Sequence, residues 1–122
     1  SDTKNNTIRK IDLTTREVTT IAGSAGSVGS NDGVGSSARF KYPNGITSDG
    51  TNLYVADNQN HTIRKIVISS GVVSTIAGQT GTTGSIDGNG TSAKFNFPLR
   101  ITNDGSNLYL SDYMNHTIRK IQ

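Results

Sequence analysis

Cysteine and tryptophan are absent from this 122-residue chain, methionine occurs once and proline twice. The lack of cysteine excludes a disulfide framework and thiolate metal centres, and it carries no direct information about redox compartment. Hydrophobic residues make up 31% of the chain and aromatics 6%, a thin supply for the core of an isolated globule of this length. No apolar run is long enough to span a bilayer as a helix, so no membrane insertion is expected. The first residues do not resemble a secretory leader, although a mature or excised chain would have lost one. Charge of one sign is scarce as well: 12 Lys and Arg stand against 9 Asp and Glu, for a net +3, less than a dedicated nucleic-acid binder carries.

What the chain has in quantity is glycine, 14 residues, with a surplus of Thr, Ser and Asn. That composition favours short strands joined by turns over helices. It also contains an internal repeat. Thr7-Ile8-Arg9-Lys10-Ile11 recurs unchanged at Thr62 to Ile66 and at Thr117 to Ile121, a period of 55 residues. Residues 1–67 align with 56–122 without a gap, and 37 of the 67 pairs are identical. Units of this length in tandem form stacked or ringed arrays, in which each unit covers its neighbour's apolar surface. The chain holds little more than two units, so it is expected to be either a piece of a longer array or one that several copies complete.

Within residues 43–97, Gly45 to Ser48 and Leu53 to Ala56, joined through Asp49-Gly50, read as an antiparallel hairpin. After the turn cluster Asp57-Asn58-Gln59-Asn60, a third strand runs from His61 to Ile66. Ser69-Ser70-Gly71 then leads into a fourth from Val72 to Ala77. Period-two alternation sends Ile63 and Ile66 to opposite faces, and Val72 and Val73 likewise, so neither face is clearly polar. A sheet pressed between two other sheets has this pattern, so the reading is all-β, with β-propeller blades of four antiparallel strands and about two blades per chain. A two-sheet sandwich ranks second. The expected divisions are 1–42, the third and fourth strands of one blade with a Gly-rich loop; 43–97, a complete blade with its own loop; and 98–122, the first three strands of another. The loops share four aligned glycines, read as tight turns, and Ala38 with Phe40 and Ala93 with Phe95 are expected to anchor them on the blades.

Pro43-Asn44-Gly45-Ile46, Leu53-Tyr54-Val55-Ala56-Asp57 and Asn60-His61-Thr62-Ile63-Arg64-Lys65-Ile66 together resemble the NHL repeat. The Gly-rich Asp-Gly insertion followed by Ala-x-Phe is similar to the longer repeats of secreted or surface bacterial proteins. The resemblance implies a propeller, commonly six-bladed, that binds through its flat faces and around its axis. Two positions depart from the pattern. Arg100 stands where the repeat has glycine, at the start of the strand expected nearest the axis, and Asn6 stands where the other units have His61 and His116. We read these departures as showing that the position does not demand one chemistry.

Candidate chemistry is sparse. His61 and His116, each four residues after Asp57 and Asp112, fit a structural role at a turn better than an acid/base or metal role, since Asn6 occupies the same place. Asp32-Gly33-Val34-Gly35 and Asp87-Gly88-Asn89-Gly90 resemble pieces of calcium loops but lack a second carboxylate, and they are read as turns. Gly-Ser-Ala-Gly-Ser at 23–27 has no helix to form a nucleophile elbow. The Arg-Lys pairs account for half of the basic residues. Alternation splits Arg64 from Lys65, so one of each pair is expected at a blade interface, and packed or solvated charge is favoured over ligand binding. Four Asn-x-Thr sites, at Asn5, Asn60, Asn89 and Asn115, follow from composition and repetition.

The functional expectation is a non-catalytic module for protein binding or for structure and assembly, outside the cell or at its surface, with a protein partner or copies of itself. No metal or cofactor is expected, and the candidate binding residues are Arg64, Arg119, Arg100, His61 and His116. The alternatives are a lyase-like or lactonase-like propeller enzyme with an axial metal, and binding of RNA or an anionic glycan. Few aromatics for base stacking and the low net charge count against RNA.

Overall fold

The structure, a computed structural model, describes residues 1–122 throughout. It contains ten strands and no helix longer than a single 3-10 turn: β1 Thr7–Ile11, β2 Val18–Gly23, β3 Gly33–Val34, β4 Pro43–Ser48, β5 Asn52–Asp57, β6 Thr62–Val67, β7 Val72–Gly78, β8 Pro98–Asn103, β9 Leu108–Asp112 and β10 Thr117–Ile121. They form three antiparallel sheets with the orders β1-β2, β4-β5-β6-β7-β3 and β8-β9-β10. The chain is therefore a row of β-propeller blades, with a four-stranded meander in the middle, the third and fourth strands of a blade before it and the first three strands of a blade after it.

The hairpins are fixed by turn chemistry. Asp49 accepts the N–H groups of Thr51 and Asn52 through Oδ1 and the Asn52 amide and Tyr54 hydroxyl through Oδ2, which closes the turn between β4 and β5. The Asn52 side chain first, then the two backbone donors, hold the Asp49 carboxyl well below the usual carboxylate range. Asp104 repeats this turn between β8 and β9 with Ser106, Asn107 and Tyr109.

Two details differ from the sequence reading. The third strand of the middle blade begins at Thr62, because His61 has a left-handed backbone, φ 59°, and closes a 3-10 turn over Asn58–Asn60. The Gly-rich loops are also more than self-packed turns. The first crosses to the blade that follows it, and β3 adds to the outer strand, with Gly33 opposite Val73 and Val34 opposite Val72.

The apolar core is divided between the two seams, which is what the two-faced strand pattern required. One cluster joins Ile8 and Ala22 of the first blade to Val55, Ile66 and Val73 of the middle blade. The other joins Ala56, Ile63 and Ala77 of the middle blade to Ile101, Leu108 and Leu110 of the third. Each loop drives a plug into its seam, Ala38 with Phe40 in the first and Ala93 with Phe95 in the second, all buried. Neighbouring strand residues such as Val55 and Ala56 thus serve opposite seams. A Val, Leu, Ile or Phe side chain buried in this way contributes about 1.5–3 kcal/mol. The outer face of the third blade lacks this cover: Ile118 is 74% exposed, whereas its repeat equivalents Ile8 and Ile63 are 1% and 0% exposed.

Candidate functional site

Asp57 ends β5, Asn60 lies in the following 3-10 turn and Arg64 sits in β6. Their spacing folds the three side chains onto one point. Arg64 is fully buried. Its Nη1 donates to Asp57 Oδ2 at 2.8 Å and to the Arg39 carbonyl at 2.9 Å; its Nη2 donates to Asp32 Oδ1 at 2.8 Å and to the Asn31 carbonyl at 2.9 Å. The guanidinium lies over the Phe40 ring, 5.0 Å from its centroid, and Nε alone has no partner. Asn60 Nδ2 bridges Asp57 and the Gly29 carbonyl, and Asp57 Oδ1 accepts the Lys41 N–H at 2.8 Å. Residues 29–41 of the first loop are therefore clasped at five backbone or side-chain points by a blade they do not belong to. Burial pushes the Asp57 carboxyl up, and the donors from Asn60, Lys41 and Arg64 oppose this.

The third blade repeats the clasp. Arg119 donates to Asp112 at 2.9 Å, to Asp87 at 2.5 Å and to the Lys94 and Ile86 carbonyls, with its guanidinium 5.2 Å from the Phe95 ring centroid. Here the outer side is open, and the Asp87 side chain is 93% exposed. In the first blade Arg9 makes a single contact, to Asp2 at 3.4 Å, and is exposed. The clasp is made in the two blades whose preceding loop lies within residues 1–122.

The proposed binding role of Arg64 does not survive this geometry: a buried guanidinium with four partners has nothing to offer a ligand. Arg119 is held in the same way. Asp32 and Asp87, considered above for calcium, each hold a repeat arginine instead. The Asp-Asn-Arg triplet at i, i+3 and i+7 recurs in all three units, as Asp2/Asn5/Arg9, Asp57/Asn60/Arg64 and Asp112/Asn115/Arg119. That spacing was the available signal for the clasp.

His61 is buried at the second seam. Its Nδ1 accepts the Phe97 N–H at 3.2 Å, and its ring stands edge-on to the Phe97 ring. Phe97 needs this acceptor because it turns the chain into β8 with φ 54°. At the first seam Tyr42 makes the same turn, φ 52°, and its N–H is accepted by Asn6 Oδ1 at 2.9 Å. The exchange of Asn for His is thus one chemistry and not two, which corrects the sequence reading. The site requires a side-chain acceptor on a residue that tolerates the left-handed region, and both Asn and His do. His116, the third member, has the same backbone but faces no following blade and is exposed.

Arg100 is exposed, and it marks a break in the repeat. Its equivalent, Gly45, faces β8 so closely that an added Cβ would lie 2.7 Å from the Leu99 carbonyl oxygen and 2.8 Å from Arg100 Cα. Next to it, Asn58 donates across the seam to the Pro98 carbonyl at 3.0 Å. In the third blade those two places hold Arg100 and Tyr113, and Met114 follows. Ala56 is also replaced, by Ser111, whose hydroxyl accepts the Arg100 N–H at 3.0 Å. The third blade therefore cannot receive a neighbour at its inner end as closely as the middle blade does.

Replacing Arg64 with Met strands Asp57 in the interior and is expected to destabilise the chain by about 3–5 kcal/mol, against no more than about 0.5 kcal/mol for Arg9→Met, with Arg119→Met between them. Urea unfolding of the three variants gives the order.

Burial lowers the His61 pKa below its ordinary value, the Lys41 charge adds to this and Asp112 opposes it. A folded-state value below the unfolded one means that the stabilisation is complete above about pH 6.5 and is lost as pH falls through the folded value. Thermal unfolding at pH 7 and pH 5 is expected to show a larger loss in the wild type than in His61→Asn, which keeps an acceptor that does not titrate.

Similarity to known proteins runs through the whole chain. It is 33% identical to NHL repeat-containing protein 2 of Bos taurus over 129 aligned residues, and 32% identical to that of Homo sapiens, in each case over 98% of its own length. The chain spans only 18% of the length of these relatives. Among solved structures, a protein of unknown function from Bacteroides thetaiotaomicron superposes with a TM-score of 0.90 at 35% identity, over 98% of this chain and 30% of that one. Auxiliary nutrient binding proteins from Bacteroides thetaiotaomicron and Bacteroides ovatus superpose with TM-scores of 0.83 at 31% and 28% identity, over 98% of this chain and 33% of theirs. No protein-family model matches the chain.

Proposed function

The chain belongs to the NHL-repeat family, and from that premise we propose that it is a non-catalytic β-propeller module for protein binding and assembly, placed outside the cell or at its surface. The observation that carries this reading is how the repeated reactive side chains are used. Asp57, Asn60, His61 and Arg64 are all buried, and each is bonded within the blades or across a seam. Their repetition therefore serves architecture, and recognition is left to the exposed positions where the repeat breaks: Arg100, Tyr113 and Met114. The description of two solved neighbours as auxiliary nutrient binding proteins supports a binding role. The Ser, Thr and Asn surplus supports the location.

An enzymatic reading, lyase or lactonase with an axial metal, needs carboxylates, histidines or asparagines converging on the innermost strands. In β4 and β8 the corresponding side chains are Asn44, Thr47, Arg100 and Thr102, and the Thr47 hydroxyl already accepts from Asn103 at 2.7 Å. Binding of RNA or an anionic glycan would use Arg100 with the surface lysines, against a net charge of only +3. Elemental analysis of the purified chain separates the enzymatic reading, which requires a stoichiometric divalent metal, from the one proposed.

The exposed face of the third blade, with Ile118 and the edge of β10, fits cover by a further blade, supplied either by a longer propeller chain or by another copy. If the chain is an autonomous product, three copies would supply six blades, the number the family resemblance implies. Sedimentation at rising concentration is expected to give a species of about three times the 12.9 kDa chain mass. A folded monomer at every concentration would contradict the assembly.

A further inference from the structure

We propose that Asn89 is the one acceptor in this chain for an N-linked glycan. The inference rests on the location outside the cell proposed above and adds a modification site to it. Of the four Asn-x-Thr sites, three belong to the repeat and have their amides in use. Asn60 is 4% exposed, and its Nδ2 donates at 2.7 Å both to Asp57 Oδ2 and to the Gly29 carbonyl. Asn115 Nδ2 likewise donates at 2.7 Å to Asp112 Oδ2 and to the Gly84 carbonyl. A sugar on either nitrogen would replace a proton that the clasp uses. Asn5 Nδ2 donates to Asp2, and the hydroxyl that completes its pattern belongs to Thr7, which is 2% exposed.

Asn89 differs in origin and in setting. The aligned residues of the first loop are Val34-Gly35-Ser36, so Asn89-Gly90-Thr91 owes neither its asparagine nor its threonine to the repeat. Repetition therefore accounts for three of the four sites and not for this one. Residues 85–92 are all exposed. Asn89 stands at the N-cap of a 3-10 turn over Gly90–Ser92, a place where an asparagine side chain commonly accepts a backbone N–H, yet here it makes no such bond. The turn is held by its backbone instead: the Ser92 N–H donates to the Asn89 carbonyl at 3.0 Å and the Ala93 N–H to the Gly90 carbonyl at 3.3 Å. Asn89 and Thr91 thus flank a left-handed glycine, φ 55°, on a fixed and solvated bend.

This exposure does not depend on which strands of the third blade lie within residues 1–122. In the middle blade, where the fourth strand β7 is present, the equivalent Val34 is paired with Val72 and is still 57% exposed, and Ser36, in the place of Thr91, is exposed as well. The position lies at the outer rim, since β3 is the edge strand of the middle sheet. A glycan there leaves both flat faces and the axis free. Asp87 also puts a carboxylate two residues before the asparagine, so the site satisfies enzymes that require Asp-x-Asn-x-Thr. The other three sites have Thr3, Asn58 and Tyr113 there. The transfer forms a bond from Asn89 Nδ2 to C1 of the first sugar and breaks the bond from that carbon to the pyrophosphate of a polyprenyl-linked oligosaccharide. The polyprenyl pyrophosphate leaves, and the amide gives up one proton.

Incubation of the folded 122-residue chain with a bacterial oligosaccharyltransferase and a polyprenyl-pyrophosphate-linked oligosaccharide, read by intact mass and peptide mapping, tests the site. The wild type is expected to gain one glycan, on Asn89. Asn89→Gln and Thr91→Ala are expected to gain none, and Thr91→Ser to keep it. Val34→Asn combined with Ser36→Thr, which rebuilds the acceptor on the middle blade, is expected to gain a second. Transfer to Asn5, Asn60 or Asn115, or none to the wild type while a peptide of residues 85–93 is modified, overturns the inference. In protein taken from its own source, a bare Asn89 at the cell surface overturns the inference alone, whereas recovery inside the cell overturns the location it rests on.

Discussion

A buried guanidinium is the constraint around which the rest of this fold is arranged. Removing a charge from water is expensive, and the interior tolerates Arg64 only because Asp57, Asp32, two carbonyls and the Phe40 ring surround it. Those partners come from three places: the blade's own second strand, the loop before the blade, and the plug that loop drives into the seam. Satisfying one side chain therefore fixes the path of some thirteen loop residues and the closure of the seam below them. The apolar residues supply most of the stabilisation, and the arginine makes the arrangement specific, since a loop in another position would leave the charge without partners.

The same logic explains why the three units, alike in sequence, differ in order. The middle blade has a preceding loop, a following blade and a fourth strand, and its clasp is sealed. Of the third blade, residues 1–122 hold the loop and three strands, and its clasp is open on the side away from β9. Of the first, residues 1–122 hold only the last two strands, and its arginine is exposed. Identical residues thus run from fully buried to solvated according to what lies beside them, as expected of a quasi-one-dimensional array in which each unit is stabilised by its neighbours.

Much of this was legible from sequence because its signal is local. The period, the four strands, the Asp-Gly turns and the opposite facing of Ile63 and Ile66 all follow from patterns a few residues long. Ala38, Phe40, Ala93 and Phe95 could be named as anchors because they are apolar islands in polar loops. What stayed hidden depends on contacts about 25 to 55 residues apart. The partnership of Arg64 with Asp32 spans 32 residues, so no short motif reports it and Arg64 was read as a candidate ligand contact. β3 escaped notice because two residues carry no periodicity. The equivalence of Asn6 and His61 was obscured by their different chemistry as ionisable and non-ionisable groups, when the fold uses only their shared capacity to accept an N–H from a left-handed turn. Arg100 was recognised as a departure. Its consequence, a blade that cannot take a neighbour as closely as the middle blade does, needed the distance between Gly45 and β8.

Coupling between the loop and the blade it crosses to is the central claim, and a double-mutant cycle on Phe40→Leu and Arg64→Met measures it directly. If the plug and the guanidinium hold the loop as one unit, urea unfolding of the single and double variants will show a coupling of about 1–2 kcal/mol. Effects that add to within about 0.5 kcal/mol would mean that loop and blade are held independently, and would contradict the account.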